Sequence, residues 1–236
     1  MEINERNIKT WSLIGQRATF GLIALDFVKK NENIIVLTSD VSTSAGLDRF
    51  RKTYASNYVD VGIAEQNLIG VAAGLASENF KVFTTTFAPF QTLRCCEQIK
   101  VNLGYMKHNI IMVGLASGLA LGSLGFTHAS IEELGVLRSI PNLTIVSPAD
   151  TLELVKTLDA TLKIDKPCYV RLTGTSNNPI VNNKDYNFEI GKSIELKEGK
   201  DLTLFCNGPL VHNCLEAAKI LDKENISASV VNMHTI

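Results

Sequence analysis

The 236-residue chain is 45% hydrophobic, enough to bury the core of one large domain or of one domain and a half. Lys and Arg number 23 against 24 Asp and Glu, a formal charge of -1, which excludes a broad nucleic-acid footprint or a polybasic membrane patch. Cys95, Cys96, Cys168, Cys206 and Cys214 show no CxxC and no disulfide-like spacing, so they read as reduced thiols of a cytoplasmic protein. Residues 1–10 are too polar for a signal peptide. The uncharged run at 110–126, with glycines at 114, 118 and 122, falls short of the roughly 18 to 20 apolar residues a membrane span needs.

In chain order, Phe20, Ile23, Ala24 and Phe27 have helical spacing and predict a helix over 19–30. The apolar run 34–38 predicts a buried strand, followed by an irregular loop to Tyr54. A strand at 58–61 leads through Gly62 into a helix marked by Leu68, Val71, Ala72 and Leu75. A strand at 81–85, a helix over 87–103 and a strand at 110–113 come next, then a glycine- and serine-rich loop to Thr127. Ser130-Ile-Glu-Glu133 and Ser147-Pro-Ala-Asp150 both read as capping boxes, the second with proline at the first helical position and a helix to about Leu162. Strands at 144–147 and 168–172 complete the pattern.

This alternation predicts an α/β fold with a parallel sheet covered by helices on both faces. The expected division is a first domain at 1–175, a polar linker at 176–187 within the asparagine-rich stretch 173–187, and a second unit at 188–236. That unit has a strand at 202–205, a helix at 210–221 and a strand at 228–231. A single βαβ covers a sheet poorly, so this unit reads as a truncated α/β domain.

Chemistry points first to Tyr58-Val-Asp-Val-Gly-Ile-Ala-Glu-Gln-Asn-Leu68. A carboxylate, Glu65, and an amide, Gln66, stand where a strand hands over to a helix, the usual place for ligands in parallel α/β sheets. By itself Glu65 reads more readily as a capping or surface glutamate. The combination of Gly62-Ile-Ala-Glu-Gln66, Thr86-Phe-Ala-Pro-Phe90, Glu97-Gln-Ile-Lys100, Gly125-Phe-Thr-His128, Ile140-Pro-Asn142 and Ser147-Pro-Ala-Asp150 is far more specific. In that order these motifs resemble the pyrimidine-binding domain of the transketolase family of thiamine-diphosphate enzymes, from about Arg17 to Arg171.

The resemblance implies a thiamine-diphosphate-binding fold and gives the residues roles. Glu65 would share a proton with a ring nitrogen of the cofactor's aminopyrimidine, in a site buried enough for it to hold that proton near neutral pH. Phe87 and Phe90 would flank the pyrimidine. A third ring position is Leu93 here. Ile63 and Asp40 would also line the cofactor site, and Arg17, Thr38 and His128 the substrate channel, with His128 joining Glu65 in catalysis.

Departures from the family pattern carry expectations of their own. The chain has no Gly-Asp-Gly, the family's motif for the diphosphate and its Mg2+ or Ca2+. An N-terminal transketolase subunit should therefore supply that half of the site, in an A2B2-type heterotetramer. A second arginine expected for sugar phosphate is Gly174, an expected histidine is Ala116 and an expected aspartate is Leu124. Loss of a bidentate guanidinium weakens the grip on phosphate, which leaves two expectations, an atypical sugar substrate or replacement donors from neighbouring loops. The expected activity is transfer of a two-carbon ketol unit from a ketose to an aldose. The β subunit of a 2-oxoacid dehydrogenase, a deoxyxylulose-phosphate-synthase-like enzyme and an inactive partner-binding subunit are the other readings.

Overall fold

The structure, a computed structural model, describes residues 1–173 and 176–236. Six parallel strands form the main sheet in the order β2-β1-β3-β4-β6-β5: β1 (Ile34–Thr38), β2 (Tyr58–Asp60), β3 (Lys81–Phe87), β4 (Ile110–Leu115), β5 (Thr144–Val146) and β6 (Cys168–Arg171). Successive side chains of a strand point to opposite faces, so an apolar run supplies both cores at once. Ile34 and Val36, Ile111 and Val113, and Cys168 and Val170 enter one core with α1 (Glu5–Lys30) and α7 (Thr151–Thr161). Ile35 and Leu37, Ile110 and Met112, and Tyr169 enter the other with α3 (Glu65–Ser77) and α5 (Cys96–Ile99). Each fully buried aliphatic side chain contributes about 1.5–3 kcal/mol relative to exposure.

Several elements differ from the sequence expectations. Helix α1 begins at Glu5 rather than near Thr19, with the Asn4 side chain accepting from the Asn7 N–H at 2.9 Å. Gly15, at φ 81°, kinks it, and Ile8 and Trp11 on the added turns are buried. The loop before Tyr54 contains a short helix, α2 (Asp48–Thr53), anchored by buried Phe50. The helix expected over 87–103 is broken into α4 (Ala88–Thr92), a turn at 93–95, α5 and a wide π turn, Lys100–Tyr105. Phe87 ends β3 instead of starting that helix.

Neither capping box forms as expected. Helix α6 (Glu133–Leu137) has no side-chain cap; Ser130 bridges to Gly118 through its backbone, and Glu133 pairs with Arg171. At α7 the cap lies one turn later, where Asp150 Oδ1 accepts from the Glu153 N–H at 2.8 Å and Glu153 Oε1 accepts from the Ala149 N–H at 2.9 Å. Pro148 precedes the helix and Ser147 is buried at a junction instead: its N–H donates to the His234 carbonyl at 2.8 Å, and its carbonyl accepts from Gly208 at 3.1 Å.

The C-terminal unit is larger than one βαβ. Beside β8 (Leu202–Cys206), α8 (Leu210–Lys223) and β9 (Ala228–Asn232) runs β7 (Ile194–Lys197), antiparallel to β9, giving the order β7-β9-β8. The described part of the stretch expected as a linker is fastened down. The Ser12 hydroxyl donates to the Asn178 carbonyl, Asp150 Oδ2 accepts from the Val181 and Asn182 N–H groups at 2.9 and 2.7 Å, and Tyr186 donates to Glu153 at 2.9 Å. Gly174, where the second arginine was expected, lies outside the described residues. Among the described residues no helix is long and apolar enough to cross a membrane, and all five cysteines are free thiols.

Candidate active site

The site is built where the C-terminal ends of β1, β2 and β3 meet α3. The Val61 N–H donates to the Thr38 carbonyl at 3.1 Å, extending the β1–β2 ladder one residue past β2. Asp60 Oδ1 then gathers two backbone N–H groups, from Asp40 at 2.9 Å and Gly62 at 3.0 Å. The Ser39 hydroxyl donates to the Gly62 carbonyl at 2.5 Å and accepts from the Ala64 N–H at 3.1 Å. Gly62, at φ 71°, makes the reversal that lets α3 start on Glu65. Strand ends that are pinned in this way fix the Glu65 backbone.

Glu65 is 4% exposed, although it opens a helix beside a hollow lined by Ile63, Ala64, Gln66, Asn67 and Arg94. Its Oε1 lies 2.8 Å from Arg94 Nη1. The Arg94 guanidinium carbon also sits 4.2 Å from the centre of the Phe90 ring, the usual distance for a cation over an aromatic face. Arg94 stands in the turn that breaks the expected helix, and the Gln66 side chain donates to the Arg94 carbonyl at 3.1 Å. The Glu65-Gln66 pair thus holds that turn twice, by side chain and by backbone.

Two aromatic residues and a histidine complete the cluster. The Phe87 and Phe90 rings meet edge to face at 6.1 Å. His128 stands edge-on to both, 5.9 Å from Phe87 and 5.1 Å from Phe90, with its Nδ1 3.1 Å from the Thr127 hydroxyl. The long loop after β4 therefore returns its histidine to the end of β3. Cys95, in the same turn as Arg94, is buried, and burial together with the Glu65 charge pushes its thiol up to about 12. A buried thiol raised in this way is a poor nucleophile at neutral pH.

Of the residues singled out from sequence, direct contacts join Phe87, Phe90 and His128; Glu65 is linked to them through Arg94, with Ile63 on the rim, 79% exposed. Thr38 and Asp40 lie below and beside them at the end of β1: Thr38 is buried, and Asp40 is exposed with φ 54°. Arg17 is elsewhere, in a hollow with Ile14, Ala18, Thr43, Ser44, Gly46 and Ser176 that shares no lining residue with the Glu65 hollow. Ala116 is buried and Leu124 exposed. Arg94 was missed, because the sequence reads as unbroken helix there.

Residues 14–178 match the family described as transketolase, pyrimidine binding domain, and residues 191–236 match transketolase, C-terminal domain. One subunit of an apulose-4-phosphate transketolase from Phocaeicola vulgatus is 34% identical over 95% of this chain and 72% of its own length. A 6-deoxy-6-sulfo-D-fructose transketolase subunit from Clostridium sp. is 34% identical over 93% of this chain and 68% of its own. A solved split-gene transketolase, described as an inactive β4 tetramer, superposes with a TM-score of 0.85 at 37% identity, covering 94% of this chain and 71% of that one. A strand-end glutamate beside paired phenylalanines thus stands in a domain whose sequence and fold agree, and the chain belongs to the transketolase family.

Proposed function

We propose that this chain is the pyrimidine-binding subunit of a split transketolase, in which Glu65 shares a proton with the aminopyrimidine of thiamine diphosphate. The observation that carries the reading is the pairing of a buried carboxylate with an aromatic face that already bears a flat, donor-bearing cation. A planar nitrogen heterocycle asks the same of its site: a hydrogen-bond partner at its edge and a ring against its face. When bound, the cofactor supplies the carbanion chemistry of two-carbon ketol transfer. This chain's part is to orient the ring against Phe90, with Phe87 packed edge-on beside it, and to share a proton through the Glu65 carboxyl. Ile63 and Asp40 line the same end of the sheet. His128, reaching the rings from its loop, faces the substrate; Thr38, buried at the end of β1, supports that side from within, and Arg17, in its separate hollow, would serve only the far end of a substrate.

The diphosphate and its divalent metal fall to a partner subunit carrying Gly-Asp-Gly, in an A2B2-type assembly. The names of the relatives support a multi-subunit architecture. So do the exposed apolar side chains Ile63, Leu119, Leu124 and Phe126, which belong to the two loops that flank the site. In this reading 1–175 is the pyrimidine-binding domain, 176–187 the connection and 188–236 the C-terminal unit. The substrate is an atypical sugar. Gly174 and Leu124 replace polar positions of the family, and the two named relatives act on apulose 4-phosphate and 6-deoxy-6-sulfofructose.

Reconstitution with the cognate Gly-Asp-Gly subunit tests the proposal. The expected result is co-purification and ketol transfer that neither chain performs alone, with poor turnover of xylulose 5-phosphate. Complex formation without transfer to any aldose acceptor would leave only a binding role. Rapid turnover of xylulose phosphate would remove the atypical-substrate reading.

A further inference from the structure

Arg94 bridges the two residues proposed above to hold the pyrimidine. Arg94 makes two contacts at once: its Nη1 lies 2.8 Å from Glu65 Oε1, and its guanidinium carbon lies 4.2 Å from the centre of the Phe90 ring. Glu65 and Phe90 are also the two residues assigned above to the pyrimidine's edge and face. A guanidinium is planar, cationic, rich in donors and weakly hydrated, so it satisfies a carboxylate and an aromatic face much as a flat heterocycle does. It is not locked in. The Arg94 side chain is 44% exposed against 5% for that of Glu65, and the turn that carries it is held by its backbone carbonyl through Gln66. The side chain can swing to solvent while the backbone stays docked.

We infer that Arg94 is an internal placeholder for the pyrimidine, a positioning residue that keeps Glu65 paired and the Phe90 face covered until the cofactor displaces it. This inference rests on the functional reading above. Its physical sense is the cost of an unpaired charge: a carboxylate buried as deeply as Glu65 needs a partner at every stage. Arg94 provides one before the ring nitrogen arrives, and binding exchanges one partner for another. Competition follows from the same geometry. Each complex in which Arg94 covers Glu65 is closed to the ring, so the apparent affinity falls with the fraction left open. A residue that merely braced the turn would leave that affinity unchanged or lower it when removed.

The test is calorimetric titration of thiamine diphosphate with magnesium into the reconstituted two-subunit complex, wild type against Arg94→Ala. The expected result is tighter binding in the variant, by roughly 5- to 20-fold, with the partner chain still bound. Arg94→Gln keeps an amide near Glu65 without the charge and should shift affinity the same way by less; it serves if the alanine variant does not fold. Unchanged or weaker binding in both variants overturns the inference and leaves Arg94 a structural or cofactor-contacting residue. A wild-type complex that binds no thiamine diphosphate would overturn the functional reading itself, and the placeholder with it.

Discussion

Two buried glutamates in the first turns of helices invite comparison. Glu65 opens α3 and is 4% exposed, and Glu153 lies in the first turn of α7 and is 0% exposed. Glu65 faces a hollow, and among the described residues the one partner its side chain shows is a half-exposed guanidinium. Glu153 is enclosed by donors from three places: the Ala149 N–H at 2.9 Å, the Tyr186 hydroxyl at 2.9 Å, and Asn232 Nδ2 at 3.1 and 2.8 Å. Those donors come from the first domain, the connecting stretch and the last strand, so Glu153 fastens the units together. Burial alone does not separate a working carboxylate from a structural one. The difference lies in whether the partner can leave.

The comparison breaks most visibly in activity. Glu65→Gln in the reconstituted complex should lower kcat by about 100- to 10,000-fold, the usual scale for losing a positioned proton-transfer group, with little change in the urea midpoint. Glu153→Ala should do the opposite. It leaves Ala149, Tyr186 and Asn232 donors without an acceptor and should cost about 2–4 kcal/mol in urea unfolding, with kcat per folded molecule near wild type. Equal stability losses in both variants would erase the distinction.

Acidity sharpens it further. Burial lifts the Glu153 carboxyl from 4.5 to about 7, and the neighbouring Asp150 charge adds to the rise. Between those values the folded chain keeps a proton that the unfolded chain has released, so this group's contribution to stability falls as pH rises from about 4.5 to about 7. His234, stacked 4.3 Å from Phe188, works in the other direction. Burial lowers it from 6.5 to about 4, so its contribution is complete above 6.5 and is lost as pH falls toward 4. The two slopes oppose each other between 4.5 and 6.5. Glu153→Gln should remove one of them, so that the stability of the variant climbs more steeply with rising pH across that window than that of the wild type. Urea midpoints measured in steps of half a pH unit would show it. The smallest effect is expected at the rings: Phe90→Leu should weaken thiamine diphosphate binding by about 2- to 10-fold through lost stacking, read by calorimetry on the complex.

Much of this was legible in the chain. Alternating apolar strands and amphipathic helices announced the six-stranded parallel sheet, and the order of motifs around Glu65, Phe87, Phe90 and His128 announced the cluster. What escaped was governed by contacts distant in sequence. The Asp150-x-x-Glu153 cap lay in plain view, but Ser147-Pro-Ala-Asp150 matched a capping box equally well, and only the docking of Ser147 against His234 and Gly208 decides between them. Ile194-Glu-Leu-Lys197 alternates as a strand should, yet four residues are too few to stand out without β9 beside them. Arg94 was hidden for a similar reason. No glycine or proline breaks the helix at 93–95, and the turn is held by a side chain, Gln66, that lies 28 positions earlier.

The central claim is that Glu65 moves a proton on the cofactor, and hydrogen–deuterium exchange at the thiazolium carbon tests it without any sugar substrate. In the reconstituted complex loaded with thiamine diphosphate and magnesium, quenched-flow NMR should show rapid exchange for the wild type and loss of the enzyme-dependent rate for Glu65→Gln at saturating cofactor. Undiminished exchange in that variant would contradict the account.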